Sequence, residues 1–291
     1  MIEHIVLPGG GYLGLYELGV LKYLHKNDFY DISNIKSIHG TSIGALIGTI
    51  VSLNIDWDII YDYIIKRPWH KTTHISPSML FDIIPKKGLL STKILHTIMI
   101  PLFNCINIDI TITMRELYEK TKVSLYLYTI DVNTFDIIAL NHIEFPELEV
   151  LKAIEMSCAI PYIFQPVEHQ GNIYIDGGLL NNYPINDCLE IDGATKENIL
   201  SICLKSETKE LITNDSNLLE FGYILYKKLI STHKIEKQIK ILNEVVIPCI
   251  DMNINDGYKT ITEEKEREKY IQNGETYAKI FLSYKNKEDT L

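Results

Sequence analysis

The chain has 291 residues, of which 46% are hydrophobic and 23% are charged. This length and balance are typical of a globular protein, so we expect a single domain over residues 1–291 with a short polar tail at about residues 285–291. The formal net charge of −10 argues against a nucleic-acid partner, because phosphate backbones are bound through clustered Lys and Arg.

Cysteine usage and the length of the apolar runs indicate the compartment. The five cysteines are odd in number, widely spaced and mostly inside apolar runs, which predicts buried thiols in a reducing compartment and no metal site. Residues 1–8 lack a basic region before their apolar stretch, so they predict a first strand and not a secretory signal. No apolar run reaches the roughly 20 residues that span a bilayer. We therefore expect a cytoplasmic protein without a cofactor, in contact with membranes only peripherally.

The N-terminal part of the sequence contains two strand–turn–helix units in series. An apolar strand at Ile2–Leu7 ends at a proline and a glycine turn, and apolar residues at helical spacing predict a helix over Leu13–His25. A second unit has a strand at Ile35–His39, a turn at Gly40–Gly44 and a helix at Ala45–Leu53. Consecutive units of this type predict a mainly parallel sheet and therefore an α/β fold.

The remainder of the chain continues the α/β pattern. The stretch Lys66–Lys87 is irregular and rich in proline, so it is the best candidate for a lid or cap over a site. Helices are predicted at Trp57–Ile65, Ser91–Phe103, from the capping pattern Thr113–Glu116, at Glu147–Met156, within the amphipathic region Asn217–Leu242 and at Thr262–Tyr284. Strands are predicted at Val123–Val132, Phe135–Leu140, Pro166–His169, Asn172–Ile175, Ile199–Leu204 and Glu244–Asp251.

The sequence Gly40-Thr41-Ser42-Ile43-Gly44 is a G-x-S-x-G motif between a predicted strand and a predicted helix. In that context the turn strains the serine backbone and presents Oγ at a helix N-terminus, whose dipole favours a developing anion. Ser42 is therefore a candidate nucleophile, and Gly40 and Gly44 allow the chain to pass closely around it. A helix-capping serine in a small-residue turn is the alternative, because the motif also occurs by chance.

Three consecutive glycines, Gly9-Gly10-Gly11, lie between the first predicted strand and the first predicted helix. Consecutive backbone N–H groups at a helix N-terminus can form an anion-binding nest, so these residues are candidates for an oxyanion hole. A nucleotide-phosphate site is a rival interpretation, but the segment lacks the Lys-Ser/Thr ending of a P-loop. A plain tight turn is a further alternative.

Asp176 ends a predicted strand and precedes two glycines, so its carboxylate can reach a serine on a neighbouring loop. A simple Asp-Gly turn is the alternative. A Ser-His-Asp triad in α/β-hydrolase order needs a histidine after the acid, and His233, which meets that condition, lies in a lysine-rich helical region. His39 and His169 are weak candidates, because a core strand end and a surface hairpin explain them better. A dyad of Ser42 and Asp176 requires fewer assumptions.

Four short blocks follow one another along the chain in a fixed order. They are Gly9-Gly-Gly-Tyr-Leu-Gly14, Gly40-Thr-Ser-Ile-Gly-Ala-Leu46, Ser157-Cys-Ala-Ile-Pro161 and Asp176-Gly-Gly-Leu-Leu-Asn-Asn-Tyr-Pro184. Together they resemble the signature blocks of the patatin-like phospholipase family. The likeness extends from Ile5 to at least Pro184, and Gly274 in the last predicted helix fits it loosely.

The resemblance implies a patatin-like fold, a three-layer α/β/α sandwich with a mainly parallel central sheet. It also implies calcium-independent hydrolysis of phospholipids, lysophospholipids or other acyl lipids by a Ser-Asp dyad, through an acyl-enzyme. On this basis Ser42 corresponds to the nucleophile and Asp176 to the base. Gly9, Gly10 and Gly11 correspond to the oxyanion-hole loop.

Leu13 departs from the family pattern, because many members carry Arg or Lys at this position. Without that cation, a lipid-binding protein with weak or silent catalysis is one alternative function. A lipase, thioesterase or transacylase acting on other acyl groups is another, because the same dyad handles any accessible ester. The basic and aromatic run Lys66–Lys71 and the lysine-bearing helix over Lys227–Lys240 are candidate contacts with a lipid surface, although a solvated loop and a helix packed on the sheet are simpler interpretations.

Overall fold

The computed structural model of the chain describes residues 1–72, 84–191, 193–206, 241–249 and 254–288, together with residues 212–214, 216, 221, 222, 224, 225 and 228. The strands in these residues are β1 (His4–Leu7), β2 (Ser37–Thr41), β3 (Gly88–Leu90), β4 (Ser124–Asp131), β5 (Asp136–Leu140), β6 (Tyr162–Phe164), β7 (Val167–His169), β8 (Asn172–Asp176), β9 (Ile199–Ser206) and β10 (Asn243–Cys249). The α-helices described over their whole range are α1 (Gly14–Lys26), α2 (Ile43–Ser52), α3 (Trp57–Lys66), α4 (Ile94–Cys105), α5 (Met114–Thr121), α6 (Val150–Ser157), α7 (Ile185–Leu189), α8 (Ile254–Thr262) and α9 (Glu264–Glu288). Residues 84–86, 221, 222, 224, 225 and 228 are also helical.

The central sheet is mainly parallel, as the two N-terminal strand–turn–helix units predict. Strands β10, β9, β1, β2 and β4 lie side by side in this order, and each neighbouring pair is parallel. Strands β5 and β8 pair with β4 in antiparallel orientation, and β7 pairs with β8 in the same way. Long crossover connections allow the parallel pairs, whereas short turns join β4 to β5 and β7 to β8.

Strands β2 and β8 meet end to end along one edge of β4. Thr41, the last residue of β2, pairs with Tyr128, and Asp176, the last residue of β8, pairs with the next residue, Thr129. Strand β5 pairs with β4 from Leu127 onwards and fills the opposite edge, so β2 and β8 must share the same one. The C-terminal ends of two strands that are distant in the chain are therefore adjacent.

Helices cover both faces of the sheet and give three layers. Alternate side chains of a strand point to opposite faces, and in β1 Ile5 and Leu7 join a large hydrophobic cluster with residues of α1, α2, α6 and α9. Val6 points the other way, into a smaller cluster with Ile185 and Cys188 of α7. The fold is therefore the predicted three-layer α/β/α sandwich.

Predicted and observed boundaries agree best where the local signal is strong. Thr113 caps α5 in a capping box with Glu116, as predicted. Helix α2 begins at Ile43, directly after Ser42, so the turn is tighter than the predicted Gly40–Gly44. Strands β3 and β6, which form a separate two-stranded sheet, have no counterpart among the predicted elements, because three residues are too few to show a period. Helices α7 and α8 have none either.

Several predicted features lie partly outside the described residues. The predicted cap at Lys66–Lys87 is described up to residue 72 and again from residue 84, with a 3-10 helix at Trp69–Lys71. Most of the predicted helical region Asn217–Leu242, including His233, lies outside the described residues. The same holds for the end of the last predicted strand and for residues 289–291 of the predicted tail, whereas residues 285–288 belong to α9.

Two glycines allow α1 and α9 to pack closely. A Cβ atom on Gly19 of α1 would overlap the carbonyl oxygen of Ile271, and a Cβ atom on Gly274 of α9 would overlap that of Tyr16. Tyr16 also meets Tyr270 edge to face, with ring centroids 5.0 Å apart. The C-terminal helix therefore supports the helix that follows the glycine loop.

We expect Gly274→Ala to lower the free energy of unfolding by about 1–3 kcal/mol, because the new methyl group must push α9 away from the Tyr16 carbonyl. Alanine is otherwise favoured over glycine in a helix by about 1 kcal/mol, so an unconstrained helical glycine would respond in the opposite direction. Urea denaturation of the two proteins measures the difference. An unchanged or higher midpoint would mean that the helices are not in close contact here.

Candidate active site

Ser42 occupies a strained turn between β2 and α2. Its backbone has a φ of 56° and a ψ of −124°, which is unfavourable for a residue with a Cβ atom. The neighbouring glycines make this turn possible, because a Cβ on Gly44 would lie 2.5 Å from the Leu7 carbonyl oxygen and a Cβ on Gly40 would overlap the Gly44 carbonyl oxygen. The serine therefore stands at the N-terminus of α2, where the helix dipole favours an anion.

The glycine loop Gly9–Gly11 runs beside this serine and is tied to Asn182. Gly9 donates its N–H to the Asn182 carbonyl oxygen at 3.0 Å, and Asn182 Nδ2 donates to the Gly9 carbonyl oxygen at 3.0 Å. Because the N–H of Gly9 is engaged in this way, the N–H groups of Gly10 and Gly11 are the remaining candidate donors to a bound anion. Gly11 has a φ of 54°, a conformation that favours glycine.

Asp176 is a buried carboxyl group, with 1% of its surface exposed. Its Oδ1 accepts a hydrogen bond from the Gly178 N–H at 2.7 Å, whereas no described residue offers Oδ2 a hydrogen bond of ordinary geometry. Burial raises the pKa of Asp176 to about 7, and the nearby Ser42 hydroxyl and the Gly178 N–H partly oppose that rise. The serine thus lies close enough to stabilise the carboxylate, although the pair is outside ordinary hydrogen-bond geometry.

The end-to-end arrangement of β2 and β8 brings the predicted site residues together. Ser42 follows the last residue of β2, and Asp176 is the last residue of β8. Asn182 Oδ1 lies where a Cβ on Gly9 or on Gly178 would be placed, so its side chain fills the space between the glycine loop and the turn after the acid. The nucleophile candidate, the acid and the glycine loop therefore form one cluster at one edge of the sheet.

The two described histidines that were considered for a triad lie elsewhere. His39 is buried, and its ring nitrogens lie 2.8 Å from the Tyr128 hydroxyl and 3.2 Å from the Ser37 hydroxyl. Burial lowers the pKa of His39 to about 3, so its ring is uncharged at neutral pH. His169 pairs with Asn172 in the β7–β8 hairpin. These positions agree with the core and hairpin interpretations of the two residues.

Leu13 belongs to the large hydrophobic cluster and is 5% exposed. Its N–H donates to the Gly10 carbonyl oxygen at 3.0 Å. The family resemblance leads us to expect a cation at this position. Leu13 instead packs the glycine loop onto the core.

Ser157 and Cys158 also contact the site, although no local motif predicts a role for them. Ser157 Oγ accepts a hydrogen bond from the Ser42 N–H at 3.0 Å, and Cys158 Sγ donates to the Ser42 carbonyl oxygen at 3.1 Å. Ser42 and Ser157 are 115 positions apart in the chain, so no local sequence pattern predicts their contact. The block Ser157–Pro161, noted for its resemblance, is the one signal that points to this segment.

The described residues show neither a metal cluster nor a membrane-spanning helix. No group of three or more His, Cys, Asp or Glu side chains in them is placed to hold a metal ion. None of the helices assigned in those residues combines the length and the apolar character needed to cross a bilayer. Cys158 and Cys188 are buried thiols, as their apolar surroundings predict, whereas Cys105 is exposed.

The sequence is similar to one protein family and to two viral proteins. The family model for patatin-like phospholipases matches residues 5–189. A protein of Invertebrate iridescent virus 6 named as a probable lipid hydrolase is 28% identical over 182 residues, which cover 62% of this chain and 61% of that protein. An uncharacterized protein of Acanthamoeba polyphaga mimivirus is 27% identical over 184 residues, which cover 63% and 60% of the two chains. The matches thus span about six tenths of the length of these curated relatives.

Comparison with solved structures concerns the fold. The crystal structure of VipD from Legionella pneumophila superposes with a TM-score of 0.56 and 16% sequence identity, over 97% of this chain and 67% of that one. The shared architecture therefore includes the helices and strands that follow residue 189.

Proposed function

Because the chain belongs to the patatin-like phospholipase family, we propose that it is a serine acyl hydrolase that cleaves fatty-acyl esters of phospholipids or lysophospholipids. The family match and the viral relative named as a probable lipid hydrolase support hydrolysis of a lipid ester. The observation that carries the proposal is the proximity of a strained serine at a helix N-terminus to a buried acid with a pKa of about 7.

The proposed reaction proceeds in two steps. Asp176 accepts the hydroxyl proton as Ser42 Oγ attacks the ester carbonyl, and the N–H groups of Gly10 and Gly11 stabilise the resulting oxyanion. The tetrahedral intermediate expels the lysolipid alkoxide, which takes the proton from Asp176 and leaves an acyl-enzyme. Water then attacks the acyl-enzyme, Asp176 takes a proton from it and returns that proton to Ser42, and the fatty acid is released.

A carboxylate is a weak base for a hydroxyl group, so this mechanism depends on position and on the environment of the acid. Burial that raises the pKa of Asp176 to about 7 makes its carboxylate a stronger base than an exposed aspartate. The N-terminus of α2 and the glycine loop supply fixed dipoles for the oxyanion. No step uses a metal, so we propose activity that is independent of calcium.

A substrate held in a membrane requires peripheral contact with a lipid surface, and we place this protein in the cytoplasm. The run Lys66–Lys71 is one candidate contact. Within it, Arg67 donates to the Tyr63 hydroxyl at 2.8 Å and its guanidinium lies 5.1 Å from the Trp69 ring centroid. The first contact joins the run to α3 and the second lies within the run, so the Arg67 cation is engaged by the protein itself. This agrees with the simpler interpretation, a solvated loop. If the same fraction of the protein sediments with neutral vesicles as with anionic vesicles, electrostatic attraction does not contribute to the lipid contact.

Acyl-enzyme formation can be tested directly on the wild-type protein. In buffer with EDTA, mixed phospholipid vesicles should yield free fatty acid, and a chromogenic ester should give a burst of alcohol equal to the number of active sites. A fluorophosphonate probe should label the peptide that contains Ser42. A folded protein that gives neither release nor label would favour the alternative supported by Leu13, a catalytically silent lipid-binding protein. Release from neutral or thioester lipids alone would favour a lipase or thioesterase.

We expect Gly9→Ala to lower ester hydrolysis about 10²- to 10³-fold, a loss comparable to that of an oxyanion donor. The added Cβ would overlap Asn182 Oδ1 and lie 3.1 Å from the Ser42 Cβ, so the glycine loop must move. Gly222→Ala is a matched control, because a Cβ at Gly222 meets nothing within 4 Å among the described residues. Initial rates with a soluble ester measure both variants, and equal rates would argue against a role for the loop.

A further inference from the structure

Three consecutive residues at the end of α6 contact both halves of the site. Ser157 Oγ accepts from the Ser42 N–H at 3.0 Å, and Cys158 Sγ donates to the Ser42 carbonyl oxygen at 3.1 Å. The backbone carbonyl oxygen of the next residue, Ala159, accepts a hydrogen bond from the Asp176 N–H at 3.0 Å. One short segment is therefore bonded to the backbone of the serine and to the backbone of the acid.

The direction of the Ser157 hydroxyl is determined by its surroundings. It donates to the Tyr128 carbonyl oxygen at 2.7 Å, so its lone pair is directed to the Ser42 N–H. Tyr128 pairs with Thr41 in the sheet, which ties Ser157 to the strand that carries the serine. The side chain is 0% exposed, so water cannot replace either bond if the hydroxyl is removed.

The strained backbone of Ser42 needs such a partner. A φ of 56° is held only where the surrounding contacts favour it over relaxed alternatives. The Ser42 N–H directly precedes α2 and donates to the Ser157 hydroxyl oxygen instead of a backbone carbonyl. Without that acceptor, the buried N–H loses its hydrogen bond and the peptide can rotate, which would move Oγ relative to Asp176.

We propose that Ser157 is a positioning residue for the nucleophile, which holds the Ser42 peptide so that Oγ stays aligned with Asp176. It does not touch substrate, and it acts through the serine backbone. Cys158 supports the same peptide through its carbonyl oxygen. This inference rests on the proposed function, because it assigns a task in the acylation of Ser42.

Ser157→Ala tests the inference against a soluble short-chain ester such as p-nitrophenyl butyrate. We expect kcat to fall about 10- to 100-fold and KM to change less than about twofold, because the hydroxyl aligns the attack and does not bind the ester. The second-order rate of fluorophosphonate labelling at Ser42 should fall by the same factor. The matched control is Ser52→Ala at the other end of α2, since Ser52 is 3% exposed and donates to the Thr49 carbonyl oxygen. It removes a buried hydroxyl without touching the serine turn, so its kcat should stay within about twofold of wild type.

A second pair of variants separates the hydroxyl from effects on folding. Ser157→Thr and Ser157→Val have the same shape and differ in the hydroxyl alone, so the threonine protein should label at least about tenfold faster than the valine protein. Equal labelling rates in the threonine and valine proteins, or a wild-type labelling rate in Ser157→Ala, would overturn the inference. The proposed function would stand in either case, provided that the wild-type protein is labelled. An unlabelled, folded wild type would instead overturn the proposed function itself.

Discussion

Asp176→Asn is expected to lower kcat for ester hydrolysis about 10³- to 10⁴-fold, because an amide cannot accept the Ser42 proton during attack. The variant keeps the size of the side chain and an oxygen for the Gly178 N–H, which donates to Oδ1 in the wild type, so the fold should be retained. Single-turnover acylation with a chromogenic ester measures the chemical step apart from product release. Near-normal acylation in the folded variant would contradict the proposed dyad.

The same substitution should change the pH dependence of stability. The pKa of Asp176 is raised to about 7 in the folded protein, above an unfolded value of about 3.9. The folded state therefore holds this proton more tightly, and the resulting stabilisation is present below about pH 4 and is lost as the pH rises towards 7. Asparagine has no proton to lose, so we expect Asp176→Asn to gain roughly 2–4 kcal/mol relative to wild type between pH 4 and pH 8.

Two measurements check the ionisation of this acid. Urea denaturation of both proteins at pH 4, 6 and 8 follows the difference in stability, and a difference that is constant with pH would mean that Asp176 titrates normally. The kcat/KM of the wild type should rise with pH through a midpoint near 7, because the carboxylate is the active form. A midpoint near pH 4 in the kcat/KM profile would indicate that the Asp176 carboxyl group is exposed to solvent.

Ser42→Ala is expected to abolish fluorophosphonate labelling and to lower ester hydrolysis about 10⁴-fold or more, because no other group forms the acyl-enzyme in the proposed reaction. Alanine is smaller than serine and must adopt the same φ of 56°, so the backbone strain is unchanged and the fold should persist. Residual hydrolysis should show no burst, since a covalent intermediate can no longer accumulate.

The control for this variant is again a serine of α2. Ser52→Ala should label and hydrolyse like the wild type, which separates loss of the nucleophile from general destabilisation of the helix. Vesicle binding should be retained in Ser42→Ala, because the proposed lipid contacts do not involve the serine. Labelling that persists in Ser42→Ala would assign the nucleophile to another residue.

Local patterns in the sequence predict much of the site. The strand–glycine–helix units around Gly9 and Ser42 were recognisable because strand, turn and helix signals act over a few neighbouring residues. The predicted order of strands and helices also implied the parallel sheet. The core interpretation of His39 agrees with the structure for the same reason, because a histidine at the end of an apolar strand is most simply a core residue. Its ring nitrogens lie within hydrogen-bond distance of the Tyr128 and Ser37 hydroxyls.

Other features could not be predicted because they depend on contacts between distant parts of the chain. Asn182 lies in a recognisable block, but its bonds to Gly9, 173 positions away, are not visible in the sequence. Those bonds engage the N–H of Gly9, which leaves Gly10 and Gly11 as the candidate donors. Leu13 was noted as a departure from the family pattern, and its packing under the glycine loop emerged from the tertiary structure.

Neighbouring glycines and apolar residues specify the local geometry: two strand–turn–helix units, a strained serine turn and an acid at a strand end. The tertiary structure brings Ser42 and Asp176 together, because β2 and β8 end on adjacent residues of β4. It also decided the raised pKa of Asp176 and the role open to Ser157, because desolvation and hydrogen bonding follow from which distant segments the folded chain buries together.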